Sequence, residues 1–201
     1  MDKLLKSISY IFHPLVMPLF AIWFYFEISP RFIPDDIVQG KLISIFILTV
    51  LLPILTYFLL KTLGKVNSVH LETPRERLYP LMLYCVIIII ALQRIITPSQ
   101  AIEIYFFLIG LLISNMTCLL MAIMNFKISL HMMAVCGVFM FFVALSIHFS
   151  ININGALAMM AIMIGAIATS RLHLKAHNGK ELIIGIFIGA IPQLILVNYW
   201  L

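Results

Sequence analysis

Six ionisable side chains fall within twelve residues near the end of the chain, SRLHLKAHNGKE at 170–181, between stretches that are otherwise nearly pure hydrocarbon. His177 and Glu181 stand four apart, so a helix beginning near His177 carries both on one face. A carboxylate placed there holds an imidazole in one tautomer and stabilises its cation, as a histidine nucleophile or base requires. Arg171 lies six residues before His177, about 600° of helical rotation, so the two converge only if the chain turns between them. Asn178 and Gly179 supply turn character, and the apolar run resumes at Leu182. The plain alternative is a solvated charged loop. His173 and His177 also have the spacing of a helical zinc pair, a rival reading that needs His131 or Glu181 as third ligand and lacks an HExxH sequence.

Two further polar clusters precede this one. In KISLH at 127–131, Ser129 and His131 are two residues apart with Lys127 just outside, a combination able to bind an anion and transfer a proton. The alternative is an interfacial histidine satisfied at a helix start. In VHLETPRERLYP at 69–80, Thr73, Pro74 and Glu76 read as a capping box with proline at the first helical position. Arg75 and Arg77 then lie in or beside a first turn whose backbone N–H groups already favour an anion. Pro80 is expected to interrupt this turn and restart the chain as a membrane span. Two interfacial arginines on lipid phosphates are the plain alternative.

The elements that must position these groups follow from composition. The chain is 63% hydrophobic and 10% charged, with a mean hydropathy of +1.13, against about 25% charged residues in ordinary soluble domains. It reads as an integral membrane protein. A span needs roughly 20 mostly apolar residues, and seven stretches qualify: 9–29, 42–61, 79–97, 101–124, 129–149, 155–172 and 182–200. The first holds His13, Pro14 and Pro18 and is expected to kink or lie partly in the interface, so six spans plus one imperfect segment is the other count. Its length and the lack of a small-residue cleavage site point to a retained segment, not a cleaved signal. The expected fold is all-α, a single polytopic transmembrane helical bundle of six to seven spans over residues 1–201, with no internal repeat.

Cys85, Cys118 and Cys136 fall inside the expected spans, an odd number without metal-type spacing, which argues against a disulfide scaffold. A formal charge of +5 and a pI near 9.2 would suit nucleic acid. The basic residues, however, occupy short loops between spans and not one soluble face, so anionic headgroups are the expected partners and nucleic acid is not.

If the spans alternate, one side carries Lys3, Lys6, Lys65, Arg75, Arg77, Lys127, Arg171, Lys175 and Lys180, with Lys61 at its border; the other carries Arg31 and Lys41. The positive-inside bias assigns the first side to the cytoplasm. All three clusters lie on that side. On the other, Arg94 and Glu103 flank the short TPSQ turn at 97–100 and are placed to pair across it.

The pattern Ser170, Arg171, five residues, His177, three residues, Glu181 resembles the SRx5HxxxD motif of the type 2 phosphatidic acid phosphatases. These form the lipid phosphatase branch of the superfamily that includes the vanadium haloperoxidases. Ser129 and His131 match the Ser and His of that family's PSGH motif, and the clusters come in the family's order. The resemblance covers some 30 residues. It implies that His177 attacks phosphorus to form a phosphohistidine and that Glu181 takes the place of the orienting Asp. Arg171 would hold the phosphoryl oxygens with Ser129 assisting, and His131 would protonate the leaving oxygen; Ser170, Arg75, Arg77 and Lys127 complete the implied binding set. No metal or other cofactor enters this scheme. The sequence departs from the family at Glu181, at Ile128 and Leu130 in place of Pro and Gly, and in the first motif, Kx6RP. There Arg77 is the best match, His70 stands at the lysine position, Pro80 comes two residues late, and Arg75 or Lys65 would have to replace the lysine. An extra apolar hairpin also separates the first two clusters.

The sequence thus points to a phosphatase of a lipid phosphomonoester or diphosphate, with phosphatidate, phosphatidylglycerol phosphate or a polyprenyl phosphate as candidate substrates, in a bacterial inner membrane with the site facing the cytoplasm. The alternatives are a catalytically degenerate binder or transporter of anionic lipid, and a metal-dependent membrane hydrolase.

Overall fold

A computed structural model describes residues 2–66 and 73–201, and the described chain is helical with no strand. Helix α1 (Asp2–Ile11) is followed by a break and then α2 (Met17–Ile28). The break has a local cause: Pro14 disfavours helical backbone at His13, whereas Pro18 falls in the first turn of α2, where its missing N–H costs nothing. The stretch at 9–29 is therefore not one span, and α2, at 12 residues, is short of the roughly 20 that crossing requires.

Among the described residues six helical runs are long and apolar enough to cross a membrane: Asp35–Thr62, Arg75–Arg94, Ile102–Ile123, Leu130–His148, Asn154–His173 and Gly179–Tyr199. The first comprises α3 (Asp35–Phe46), a π-helical turn at Ile47–Leu51 and α4 (Leu52–Thr62). Pro53 stands two residues after that turn, in the first turn of α4, and a wider turn is one way a helix absorbs a proline. The run begins well before the expected boundary at residue 42 because Asp35 and Asp36, in its first turn, favour a helix N-terminus.

The second run opens with a 3-10 turn at Arg75–Arg77 and continues as α5 (Leu78–Arg94). The capping box forms as read: Thr73 N–H donates to Glu76 Oε2 at 3.5 Å and Glu76 N–H to Thr73 Oγ1 at 3.4 Å. Pro80 does not interrupt the helix, since it too lies in the first turn of α5. The remaining helices are α6 (Ile102–Ile123), α7 (Leu130–His148), α8 (Asn154–His173) and α9 (Gly179–Leu196).

Helix α7 is the most buried of the six spans, and its closest partner is α9. A Cβ on Gly185 would lie 2.8 Å from the Ser129 carbonyl oxygen, and one on Gly189 would overlap the Met133 carbonyl. This small-xxx-small stripe lets the two backbones touch, the usual basis of tight packing in a membrane, where burial of apolar side chains gives no net drive. Pro192 inside α9 removes the N–H that would bond Ile188 O. Ser114 of α6 supplies the donor instead, with Oγ 2.8 Å from that oxygen, and Gln193 Nε2 returns a bond to Phe107 O at 3.0 Å. Because the atom in the way at Gly189 is backbone, Gly189→Ala is expected to cost at least the roughly 1–3 kcal/mol of an overpacked core. A lowered unfolding midpoint in detergent would register it; an unchanged midpoint would show that α7 and α9 are looser than described.

At the end of the bundle away from the three polar clusters, Glu103 is fully buried. Its partners are Tyr25, whose hydroxyl donates at 2.9 Å, Arg31 at 2.5 Å and His148 at 3.2 Å. The expected pairing with Arg94 does not occur. Glu103 starts α6 on a face that meets α2 and α7, while Arg94 is exposed at the end of α5. Cys85, Cys118 and Cys136 are free thiols.

Candidate active site

The required turn between Arg171 and His177 is present. Helix α8 ends in a Schellman-type cap, with Lys175 in the left-handed region at φ 50. Ala176 N–H bonds Arg171 O at 3.1 Å and Lys175 N–H bonds Leu172 O at 3.0 Å. Two residues later Asn178 starts α9, its side-chain oxygen accepting from Glu181 N–H at 3.0 Å. The Asn178 amide donates to Glu181 Oε1 at 3.0 Å, and the other carboxylate oxygen lies 2.6 Å from His177 Nδ1. The local sequence therefore builds a fixed acid–imidazole pair. A carboxylate accepts from an imidazole N–H, so Nδ1 carries the proton and Nε2 presents a lone pair. Among the described residues nothing bonds that Nε2.

The second cluster docks on the third. Ser129 caps α7, its Oγ accepting from Met132 N–H at 3.4 Å, and its own N–H donates to Glu181 O at 3.3 Å. Arg77, buried, reaches the same corner and donates from a guanidinium N–H to Ile128 O at 2.5 Å. Arg75, two positions earlier on a three-residue turn, points elsewhere and is exposed. Lys127 is half-buried at the entrance to α7. Lys65 is exposed, with its ammonium 5.8 Å from the Tyr79 ring centroid. His70 lies outside the described residues.

Arg171 is the unusual member. Its Nε is buried and bonds to nothing among the described residues. Nearly all buried polar atoms in folded proteins have a partner, so an orphaned guanidinium N–H marks a place where one is missing.

Helix α1 adds contacts that the sequence did not suggest. Ser170, fully buried, donates to Leu5 O at 2.7 Å and lies 2.8 Å from Ser9 Oγ. Its hydroxyl thus ties α1 to α8 and is not directed at an anion. His131 Nε2 lies 3.1 Å from Ser9 O; a carbonyl only accepts, so the proton sits on Nε2 and Nδ1 is the working nitrogen. His13 meets His131 edge to face, ring centroids 5.6 Å apart. The signal available in the sequence was Leu5 and Ser9, four apart and both buried, followed by the His13-Pro14 break.

Burial lowers the His177 imidazole well below the usual histidine range, and the positive charges of Arg77, Arg171, Lys127 and His131 lower it further. His13 shifts the same way through burial and then Arg171. With folded pKa below unfolded, the unfolded chain binds more protons as pH falls through about 6.5, so stability is intact above that pH and declines below it. The unfolding midpoint in detergent should therefore fall from pH 7 to pH 5. His177→Asn should flatten that slope, and inorganic phosphate should reduce the fall by supplying the absent negative charge. An identical slope in His177→Asn would remove His177 as its source.

His173 ends α8 while His177 lies beyond the turn, so the two do not share a helical face. Among the described residues no group of three or more His, Cys, Asp or Glu side chains gathers in a way that could hold a metal ion, which leaves the zinc reading without its ligand set. Comparison with protein-family models, with curated proteins and with solved structures finds no match to this chain.

Proposed function

We propose that the chain is a membrane lipid phosphatase that works through a phosphohistidine. The observation that carries the reading is the buried Nε of Arg171, which bonds to nothing among the described residues, together with an imidazole whose Nδ1 is held by Glu181 and whose Nε2 bonds to none of the described residues. A phosphoryl group supplies what this arrangement lacks, three equatorial oxygens for Arg171, Arg77 and Lys127, and an electrophile for Nε2.

In the first step the Nε2 lone pair of His177 forms a bond to phosphorus while the bond from phosphorus to the lipid oxygen breaks. The electron pair leaves with that oxygen, which takes a proton from His131 Nδ1, the ring entering this step as an imidazolium that keeps its Nε2 proton on Ser9 O and has taken the Nδ1 proton from solvent. Glu181 stabilises the positive charge that develops on His177. In the second step a water attacks phosphorus, gives a proton back to His131 Nδ1, and the phosphorus–nitrogen bond breaks to release phosphate. A cationic pocket beside hydrocarbon suits an amphiphile with an anionic head, such as phosphatidate, phosphatidylglycerol phosphate or a polyprenyl phosphate or diphosphate. By the positive-inside bias the pocket faces the cytoplasm, in a bacterial inner membrane.

A second reading, a binder of anionic lipid without turnover, is favoured by the full burial of Ser129, whose Oγ already caps α7. Phosphate release by the purified protein in detergent, with chelator present and over a panel of lipid phosphates, separates the two. Release points to the enzyme. Binding with no release from any member of the panel would sink it in favour of the binder.

A further inference from the structure

At the opposite end of the bundle, a cleft of about 310 Å³ opens between α3 and the turn that follows α5. That volume falls in the range of small-molecule sites, roughly 300–1,000 Å³. Lys41, Ser44, Arg94, Thr97 and Gln100 line it, and no lining residue is acidic. Lys41 is buried, 9% exposed. Its ammonium donates to Ile95 O at 3.1 Å and to Gln100 Oε1 at 2.6 Å. Both acceptors are neutral, so the positive charge is solvated by dipoles but not cancelled, and an ammonium has a third N–H to give. Arg94 makes no hydrogen bond or ion pair with the described residues, because the carboxylate nearest in sequence, Glu103, is taken by Arg31, His148 and Tyr25. Asp35 and Asp36, in the first turn of α3, are exposed and form no ion pair with Lys41.

A helix C-terminus attracts cations, which accounts for one ammonium on the Ile95 carbonyl. It does not account for a second, unpaired guanidinium facing the same open volume. Two cations around a cleft without an acid, in the wall of a membrane protein, leave a place for one anion.

We propose that this cleft is a second anion site, which takes a phosphate group held between Lys41 and Arg94. The group is either the head of an anionic lipid in the leaflet opposite the candidate active site or free phosphate from solution. The proposal does not depend on the phosphatase reading, since none of its residues belongs to the clusters around His177.

The test is native mass spectrometry of the full chain in an Arg171→Ala background, which removes the principal anion ligand of the other site. Its arms are dioleoylphosphatidylglycerol, dioleoylphosphatidylcholine and inorganic phosphate. Retention of phosphatidylglycerol over phosphatidylcholine, weakened about tenfold by Arg94→Glu, is expected, in line with loss of a charge-assisted contact and its replacement by repulsion. Binding of inorganic phosphate with the same dependence on Arg94 would support the anion site and assign its occupant to solution. Arg94 holds no hydrogen bond or ion pair among the described residues, so Arg94→Glu should assemble normally and leave any phosphatase activity unchanged; Lys41→Gln is the second variant. Equal retention of both lipids, or binding indifferent to Arg94→Glu and Lys41→Gln, would overturn the proposal.

Discussion

Replacing His177 with alanine is expected to lower phosphate release from the preferred lipid by at least about 10⁴-fold, the scale seen when an attacking group is deleted from a covalent mechanism. The expectation rests on geometry specific to this residue. Its Nδ1 is committed to Glu181 at 2.6 Å, its side chain is 2% exposed, and Nε2 is left to act. Glu181→Gln should do less damage, because the amide oxygen can still accept from Nδ1–H while the negative charge that balances a cationic imidazole is lost. Rapid quenching of wild type with a labelled substrate should trap phosphate on the protein, stable in base and labile in acid, and no such adduct should form in His177→Ala. Full activity in His177→Ala would end the phosphohistidine proposal. Activity that survives there but disappears with chelator would move the reaction to a metal.

Arg171→Ala is expected to cost about 10³-fold in kcat/KM, the lower end of what a single arginine contributes to phosphoryl transfer. Arg171→Lys should recover only part of it, since an ammonium restores the charge but not the planar fork that matches a phosphoryl group. Stability gives an independent reading. Arg171 is half-buried and its Nε makes no hydrogen bond among the described residues, so the substitution removes no bond at that atom and should leave the unfolding midpoint little changed. A variant that both unfolds and loses activity would mark Arg171 as part of the scaffold, and the site would then lack its main anion ligand.

Some of this architecture is written in short stretches of sequence. The capping box at Thr73 and Glu76 formed with both of its bonds, because each partner is three residues from the other and needs only one helical turn. The His177–Glu181 pair formed for the same reason, one turn of α9 sufficing once Asn178 caps it. The stretch at 155–172, expected as a span from its apolar run, is a full helix, α8. At 9–29 the outcome is the expected alternative of six spans plus one imperfect segment, and its cause is also local: Pro14 breaks the chain and leaves α1 as a separate helix.

The contacts that differ from expectation join residues far apart in the chain. Glu103 lies nine residues from Arg94 yet pairs with Arg31 and His148, and Ser170 commits its hydroxyl to α1 and not to an anion. Composition and hydrophobic run length determined that the chain is a membrane-spanning helical bundle, since hydrocarbon admits only segments whose backbone bonds close within themselves. Spacing within single turns determined the acid–imidazole pair and the caps. Only the tertiary structure decided which polar groups meet across helices, which tautomer His131 holds against Ser9, and that the Arg171 Nε is buried without a partner among the described residues. Those outcomes depend on how closely helices approach, and at Gly185 and Gly189 that distance is set by the carbonyls of Ser129 and Met133 on another helix, a fact no one stretch of sequence contains.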